Sequence, residues 1–314
     1  MRYGIVTANL GAHADPRVAV RLARAADAAG WEAFFVWDHL GFVRGVPSGD
    51  PWIILSAVAA STTRLKLGPA VTPLARRRPQ VVANALASLD LLSGGRVVFG
   101  AGLGGSPEEF TAFGEPGEAK RRAAMLDEGL EILDGLWSGE TVTHRGPRYA
   151  IEGVALAPLP LQRPRIPIWT GGERLPALRR AARWDGWLAP ATSQDGASTM
   201  SKSPERIAEM VAEIRRYRTT EAPLEVAVDG YSEPGDPALP RAYAAAGATW
   251  WLESFHDARG SLEEITERVE AGLPEKDEVS SQVQERGDGS DRPVGANNGM
   301  GYQEKLVSTR YAKE

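Results

Sequence analysis

Between residues 3 and 272 the chain repeats one phrase eight times: a short run of β-branched and aromatic residues, a loop, then an amphipathic helix. Such a phrase feeds parallel strands, because each helix carries the chain back to where the next strand starts. Eight of them are what a (β/α)8 TIM barrel requires, so an α/β barrel is expected as one domain over residues 1–273. In such barrels the working residues sit on loops after the C-terminal ends of the strands. The search for chemistry therefore narrows to eight short stretches.

The apolar runs place strands at 3–8, 33–37, 65–71, 96–100, 166–170, 186–189, 224–228 and 249–252. Helix starts are legible where a capping residue precedes proline: Asp15-Pro16, Asp50-Pro51, Ser106-Pro107, Ser203-Pro204 and Asp236-Pro237. Stops are legible at Gly30, Gly94-Gly95, Gly139, Gly247 and Gly272. One segment breaks the rhythm. Residues 141–151 read as a small hairpin inserted after the fourth helix, followed by a proline-rich connector. Residues 194–201 read as a polar, mobile loop after strand six. Residues 274–314 carry clustered charges and few large apolar side chains, so a disordered tail is expected there.

Composition removes whole classes of chemistry. The chain has no cysteine, which excludes disulfides, thiolate nucleophiles, iron–sulfur clusters and cysteine zinc sites. It has four histidines (His13, His39, His144, His256) and no His-Glu-x-x-His helix, so no metal site is expected. A net charge of −5 speaks against a nucleic-acid partner. No apolar run approaches the roughly 20 residues of a membrane span, and a cytoplasmic protein with no membrane partner is expected.

Four strand ends carry the candidate chemistry. Strand two ends in Asp38-His39, and a histidine at a barrel mouth can exchange a proton near neutral pH. The plainer alternative is a capping Asp38 and a histidine bonded to backbone. Strand three leads through Ala70 and Val71 to Arg76-Arg77-Arg78, three cations that oppose the dipole of the helix they precede. An anionic ligand or a neighbouring carboxylate would account for them. Strand four ends in Gly100-Ala101-Gly102-Leu103-Gly104-Gly105. This matches Gly-x-Gly-x-x-Gly only formally, because Ser106 and Glu109 follow at the spacing of a capping box instead of a dinucleotide-binding helix. The glycines would let backbone approach a flat ligand, and Glu109 is read first as a cap. Strand five ends in Gly171-Gly172, with Arg174, Arg179 and Arg180 on the helix that follows, a combination suited to phosphate.

Taken in order, these stretches resemble the bacterial luciferase-like flavin oxidoreductases. The resemblance rests on Asp38-His39, Leu67-Gly68 to Thr72 with Arg78-Pro79, Leu89-Asp90-Leu91-Leu92-Ser93-Gly94-Gly95-Arg96, Gly102 to Gly105 with Glu108-Glu109-Phe110, and Pro167-Ile168-Trp169-x-Gly171-Gly172. It covers about 3–273, with Leu-Ser-Gly-Gly-Arg its most specific element. The resemblance implies a flavin, FMN or the deazaflavin coenzyme F420, lying across the barrel mouth. It also implies a non-prolyl cis peptide at Ala70-Val71 under the ring. Asp38, Gly102, Gly104, Gly105 and Glu109 would border the cofactor, and Gly171-Gly172 would hold its phosphate. His39 would be the catalytic residue. At Gly105-Ser106 the chain departs from the Trp-Asn common among such proteins.

The expectation is thus a flavin-dependent oxidoreductase acting on a small organic substrate. It would transfer hydride with F420, which Asp38-His39 and the arginines favour, or monooxygenate with reduced FMN and oxygen. A homodimer, and for FMN a separate flavin reductase, are partners the resemblance implies. Selectivity would come from Phe42, Trp52 and the 141–151 and 194–201 segments. The alternatives are a non-catalytic flavin-binding barrel, or a phosphosugar isomerase or aldolase using Lys66 or Glu253, neither of which has supporting neighbours in the sequence.

Overall fold

The strand pattern read from the sequence closes on itself. The computed structural model describes residues 1–189 and 202–274. The 194–201 loop and the tail from residue 275 lie outside the described residues. Strands β1 (Arg2–Thr7), β2 (Ala33–Val36) and β3 (Lys66–Pro69) pair in parallel. Past a cis peptide between Ala70 and Val71, the short β4 (Thr72–Pro73) resumes the third strand and pairs with β5 (Phe99–Gly102). Then come an antiparallel hairpin of β6 (Val142–Arg145) and β7 (Ala150–Val154), and the parallel strands β8 (Ile168–Gly171), β9 (Gly186–Ala189), β10 (Glu225–Gly230) and β11 (Trp250–Phe255). β11 pairs with β1, and the residues leading into β5 pair with β3. There Leu67 N–H donates to Arg96 O at 3.1 Å and Val98 N–H to Leu67 O at 2.9 Å. The ring is a closed barrel of eight strands, the third broken in two.

Helices α1 (Pro16–Ala28), α2 (Pro51–Ser61), α3 (Pro79–Ser93), α4 (Glu108–Thr111), α5 (Ala119–Ser138), α6 (Leu175–Ala181), α7 (Pro204–Tyr217), α8 (Ala238–Ala245) and α9 (Leu262–Glu270) follow the strands. Their caps follow from side chains that satisfy the free amides of a first turn. Asp15 accepts from Arg17 N–H, Asp50 from Trp52 and Ile53 N–H, and Ser203 from Arg206 N–H. Ser106 does not cap its helix. α4 starts after Pro107 with no side-chain cap, so the capping box read for Ser106 and Glu109 does not form.

Strand alternation splits the core in two. Val6, Ala33, Phe35, Val98, Trp169, Leu188, Ala227, Trp250 and Leu252 fill the barrel, while a larger set packs the strands against the helices. Arg2 closes the N-terminal end, lying 4.3 Å over Trp250 and paired with Glu225.

The Leu92-Ser93-Gly94-Gly95-Arg96 stretch also serves that closed end. Gly94 caps α3 at φ 71°, where a side chain would be strained. Arg96 then donates to Ser93 O at 2.6 Å, Ala59 O and Leu65 O at 2.8 Å, and Thr62 O at 3.0 Å. Asp90 accepts from Leu161 N–H at 2.8 Å and from Gln162, fastening the proline-rich connector to the same end. The hairpin predicted at 141–151 is present, and Glu128 of α5 anchors it by accepting from Tyr149 N–H at 2.7 Å and pairing with His144 at 3.0 Å. Among the described residues no helix is long and apolar enough to cross a membrane.

Candidate active site at the open end of the barrel

Alternation continues past the strand ends and decides what the mouth presents. Ala33 and Phe35 point inward, so Trp37 and His39 stay in phase with them. His39 is then fixed from both sides. Asn9, fully buried, accepts from His39 N–H at 3.1 Å and donates to His39 O at 2.9 Å. On the ring, Nδ1 lies 2.8 Å from Glu109 Oε1.

Glu109 comes from α4, and its carboxylate is turned inward, with 2% of the side chain exposed. Besides His39 it accepts from Leu40 N–H at 3.0 Å, from Arg44 at 3.0 Å and from Arg76. Burial alone would raise this carboxyl. Hydrogen bonds from His39 and Leu40, the positive side of His39 and the Arg44 donor outweigh burial and hold it down to about 2. Glu109 is therefore an ionised partner of His39, which corrects its first reading as a helix cap.

Asp38 faces the other way. Its carboxylate is fully buried and accepts from Arg76 at 2.7 Å and from Arg77 at 3.0 and 3.1 Å. Its buried carboxylate braces both arginines. Two of the three cations before α3 are thus explained by neighbouring carboxylates, and Arg78 is left exposed. The arginines after strand five behave alike. Arg180 is buried on Asp127 at 2.5 Å and Arg179 lies over Tyr217, so neither supplements the backbone at Gly171-Gly172. Arg174 keeps an exposed side chain.

Next to His39 around the ring, past β3, β5 and β8, the rim is built of small residues. Val71 stands between Gly102 and Gly171: a Cβ on Gly102 would lie 2.4 Å from Val71 Cγ2, and one on Gly171 3.1 Å from Val71 Cγ1. Gly105 has nothing within 4 Å of where its Cβ would be. Arg122 of α5 holds the glycine loop by donating to Leu103 O at 2.8 Å and Gly104 O at 2.9 Å. Below this shelf the barrel is filled by Phe35 stacked on Trp169 and by Trp250. Small groups thus line this part of the mouth, as the close approach of a flat ring requires. The residues present fit such a group.

One expectation about the eighth strand is revised. Glu253 does have neighbours: fully buried, it accepts from Ser232 N–H at 2.9 Å, Ser232 Oγ at 2.6 Å, Trp251 Nε1 at 3.0 Å and Arg259 at 3.1 Å. That network is spent on structure. Lys66 opens β3 at the N-terminal end, away from the mouth. Of the four predicted loops, the structure joins those after strands two, three and four into one cluster. Arg44 belongs to the cluster and was not singled out, because no periodicity marks a side chain on a short turn after Leu40.

A closed parallel barrel with an imidazole–carboxylate pair beside a flat, small-residue shelf defines an oxidoreductase class that works with a bound planar cofactor. The sequence model of luciferase-like monooxygenases matches residues 1–281, and the chain belongs to that family. A protein of Mycobacterium tuberculosis is 31% identical over 240 residues, covering 69% of this chain and 78% of that one. An F420-dependent glucose-6-phosphate dehydrogenase of Microbacterium testaceum is 35% identical over 166 residues. That match covers 50% of this chain and 47% of the relative, so the chain spans about half of that protein's length. The fold is similar to an F420-dependent secondary alcohol dehydrogenase solved with an F420–acetone adduct, at TM-score 0.71 and 17% identity, over 87% of this chain and 98% of the other.

Proposed function

We propose that the chain is an F420-dependent oxidoreductase that moves a hydride to or from a small organic substrate, with reduced FMN and monooxygenation as the second choice. The observation that carries this reading is His39, fixed at the mouth by Asn9 and Glu109 at the end of β2, the strand that adjoins β3 and the Val71 following it. Family membership and the F420-dependent relatives support it. The arginine argument for a polyanionic cofactor is narrower than the sequence suggested, since it now rests on Arg78 and Arg174.

Ala70 and Val71 would back the ring, Gly102, Gly104 and Gly105 would border it, and the amides of Gly171 and Gly172 would take the phosphate. The cofactor would supply the hydride donor or acceptor. The protein's own task is the proton. With Glu109 ionised against Nδ1, that nitrogen carries hydrogen, which leaves Nε2 of His39 to exchange a proton with a substrate oxygen. Arg76 and Arg44 keep Glu109 charged through the cycle.

Fluorescence quenching of F420 on titration with the protein tests the choice: tight binding is expected. Micromolar FMN affinity with no F420 response would overturn it. His39→Ala should lower turnover by about 100-fold or more with cofactor affinity unchanged. Cofactor that binds and never turns over with any acceptor would instead mark a binding protein.

A further inference from the structure

The rim opposite the small-residue shelf carries a second arrangement that the proposed chemistry leaves unused. In β10, Ala227 points into the barrel, and Tyr231, four residues on, is in phase with it. In β11, Leu252 points inward and His256 follows in phase. β10 and β11 are neighbours, and β11 adjoins β1, which adjoins β2. Tyr231, His256 and His39 therefore stand on one continuous arc of the mouth.

Their contacts bear this out. The Tyr231 hydroxyl lies 2.6 Å from His256 Nε2. The His256 ring stacks on Trp37, with centroids 5.6 Å apart and planes at 30°, and the same indole meets His39 edge-on at 5.9 Å. One tryptophan thus separates the two imidazoles. Arg259 lies 4.2 Å over the Tyr231 ring, and its guanidinium is held by buried Glu253. Glu253 also accepts from the backbone N–H and hydroxyl of Ser232, the residue next to Tyr231. The phenol is braced along its backbone and across its ring. Burial, aided by the positive charge of Arg259, lowers the His256 imidazole from its ordinary value, so it is neutral at neutral pH.

Resting on the oxidoreductase reading, we propose that Tyr231 and His256 form a second proton-transfer pair: on a substrate with two oxygen functions they give the single proton that accompanies the hydride to the oxygen away from His39, while His39 only hydrogen-bonds the other oxygen. The substrate class is accordingly one with two oxygen functions on a flat or compact frame, such as a quinone or a hydroxyketone. The step balances as one proton. The Tyr231 O–H bond breaks as a proton passes to the substrate oxygen, and the phenol oxygen takes the Nε2 proton of His256. Nδ1 of His256 takes a proton from water. The imidazole ends as its other tautomer with no net charge, and the electrons come only from the hydride donor. Arg259 stabilises the phenol oxygen while it is negative.

The test compares two acceptors in the full-length protein loaded with whichever reduced cofactor the titration selects, under anaerobic conditions. Menadione needs a proton on oxygen together with its hydride. Malachite green, a carbocation, needs the hydride alone. In Tyr231→Phe the ratio of menadione to malachite green reduction should fall about 100-fold. His256→Gln, whose amide preserves a hydrogen bond to the phenol but cannot relay, should give the same fall. An unchanged ratio in either variant, with the cofactor still bound, overturns the pair and leaves the oxidoreductase reading intact. A wild-type protein that binds cofactor and reduces neither acceptor overturns both.

Discussion

Replacing Glu109 by Gln removes one charge from a buried cluster whose energetics the structure fixes. The carboxyl lies at about 2 in the folded chain against an ordinary 4.5. At about 1.4 kcal/mol per pH unit that difference stabilises the folded state by about 3 kcal/mol near neutral pH. The side chain is almost wholly buried, so solvent screening removes little of it. The sign follows from a lowered folded value: the contribution is complete well above 4.5 and fades as pH falls toward 2. Linkage puts the loss at about 1 kcal/mol by pH 4 and about 2 kcal/mol by pH 3. Glu109→Gln should therefore be less stable than wild type by about 3 kcal/mol in urea unfolding near pH 7, and the gap should narrow as the buffer is acidified. Equal stability near pH 7, or a gap that does not change with acid, would refute the view that His39, Arg44 and Arg76 hold an ionised carboxylate.

Three further outcomes follow from other contacts. Arg96→Met strips donors from four backbone carbonyls at the closed end, and should cost about 3 kcal/mol in urea unfolding while leaving cofactor affinity of the folded protein unchanged. Gly102→Ala should push Val71 into the mouth and weaken F420 binding at least about tenfold, with Gly102→Ala/Val71→Ala recovering most of the affinity in the same fluorescence titration. The homodimer expected from the family resemblance would cover the exposed Ile53 of α2 and Val81 of α3, each 61% exposed on helices that pack together. Ile53→Asp should then sediment as a monomer where wild type sediments as a dimer.

The fold was legible because its signals are local. A buried parallel strand must be apolar on both sides, and a helix must have its first amides satisfied, so Asp15, Asp50 and Ser203 announced their helices correctly. The site was legible only in part. His39 stood out because a strand phase carried it to the mouth. The partners of Asp38 and Glu109 lie 33 to 70 residues away in the chain, and spacing within one loop cannot reveal which carboxylate an arginine will find. Glu109 was misread for that reason: Ser106 at its capping distance was the nearer explanation, and His39, Arg44 and Arg76 from other loops hold its carboxylate instead. Tyr231 and His256 could have been found by extending the inward phase of Ala227 and Leu252 past the strand ends.

The unequal rim has a stereochemical consequence. A planar ring backed by Val71, as proposed, would have one side screened by protein and the other open to a reacting partner. Any atom delivered to or from that ring would cross a single diastereotopic side, and a deuterium label placed on the prochiral carbon of the reduced cofactor should be transferred or retained in full, never scrambled.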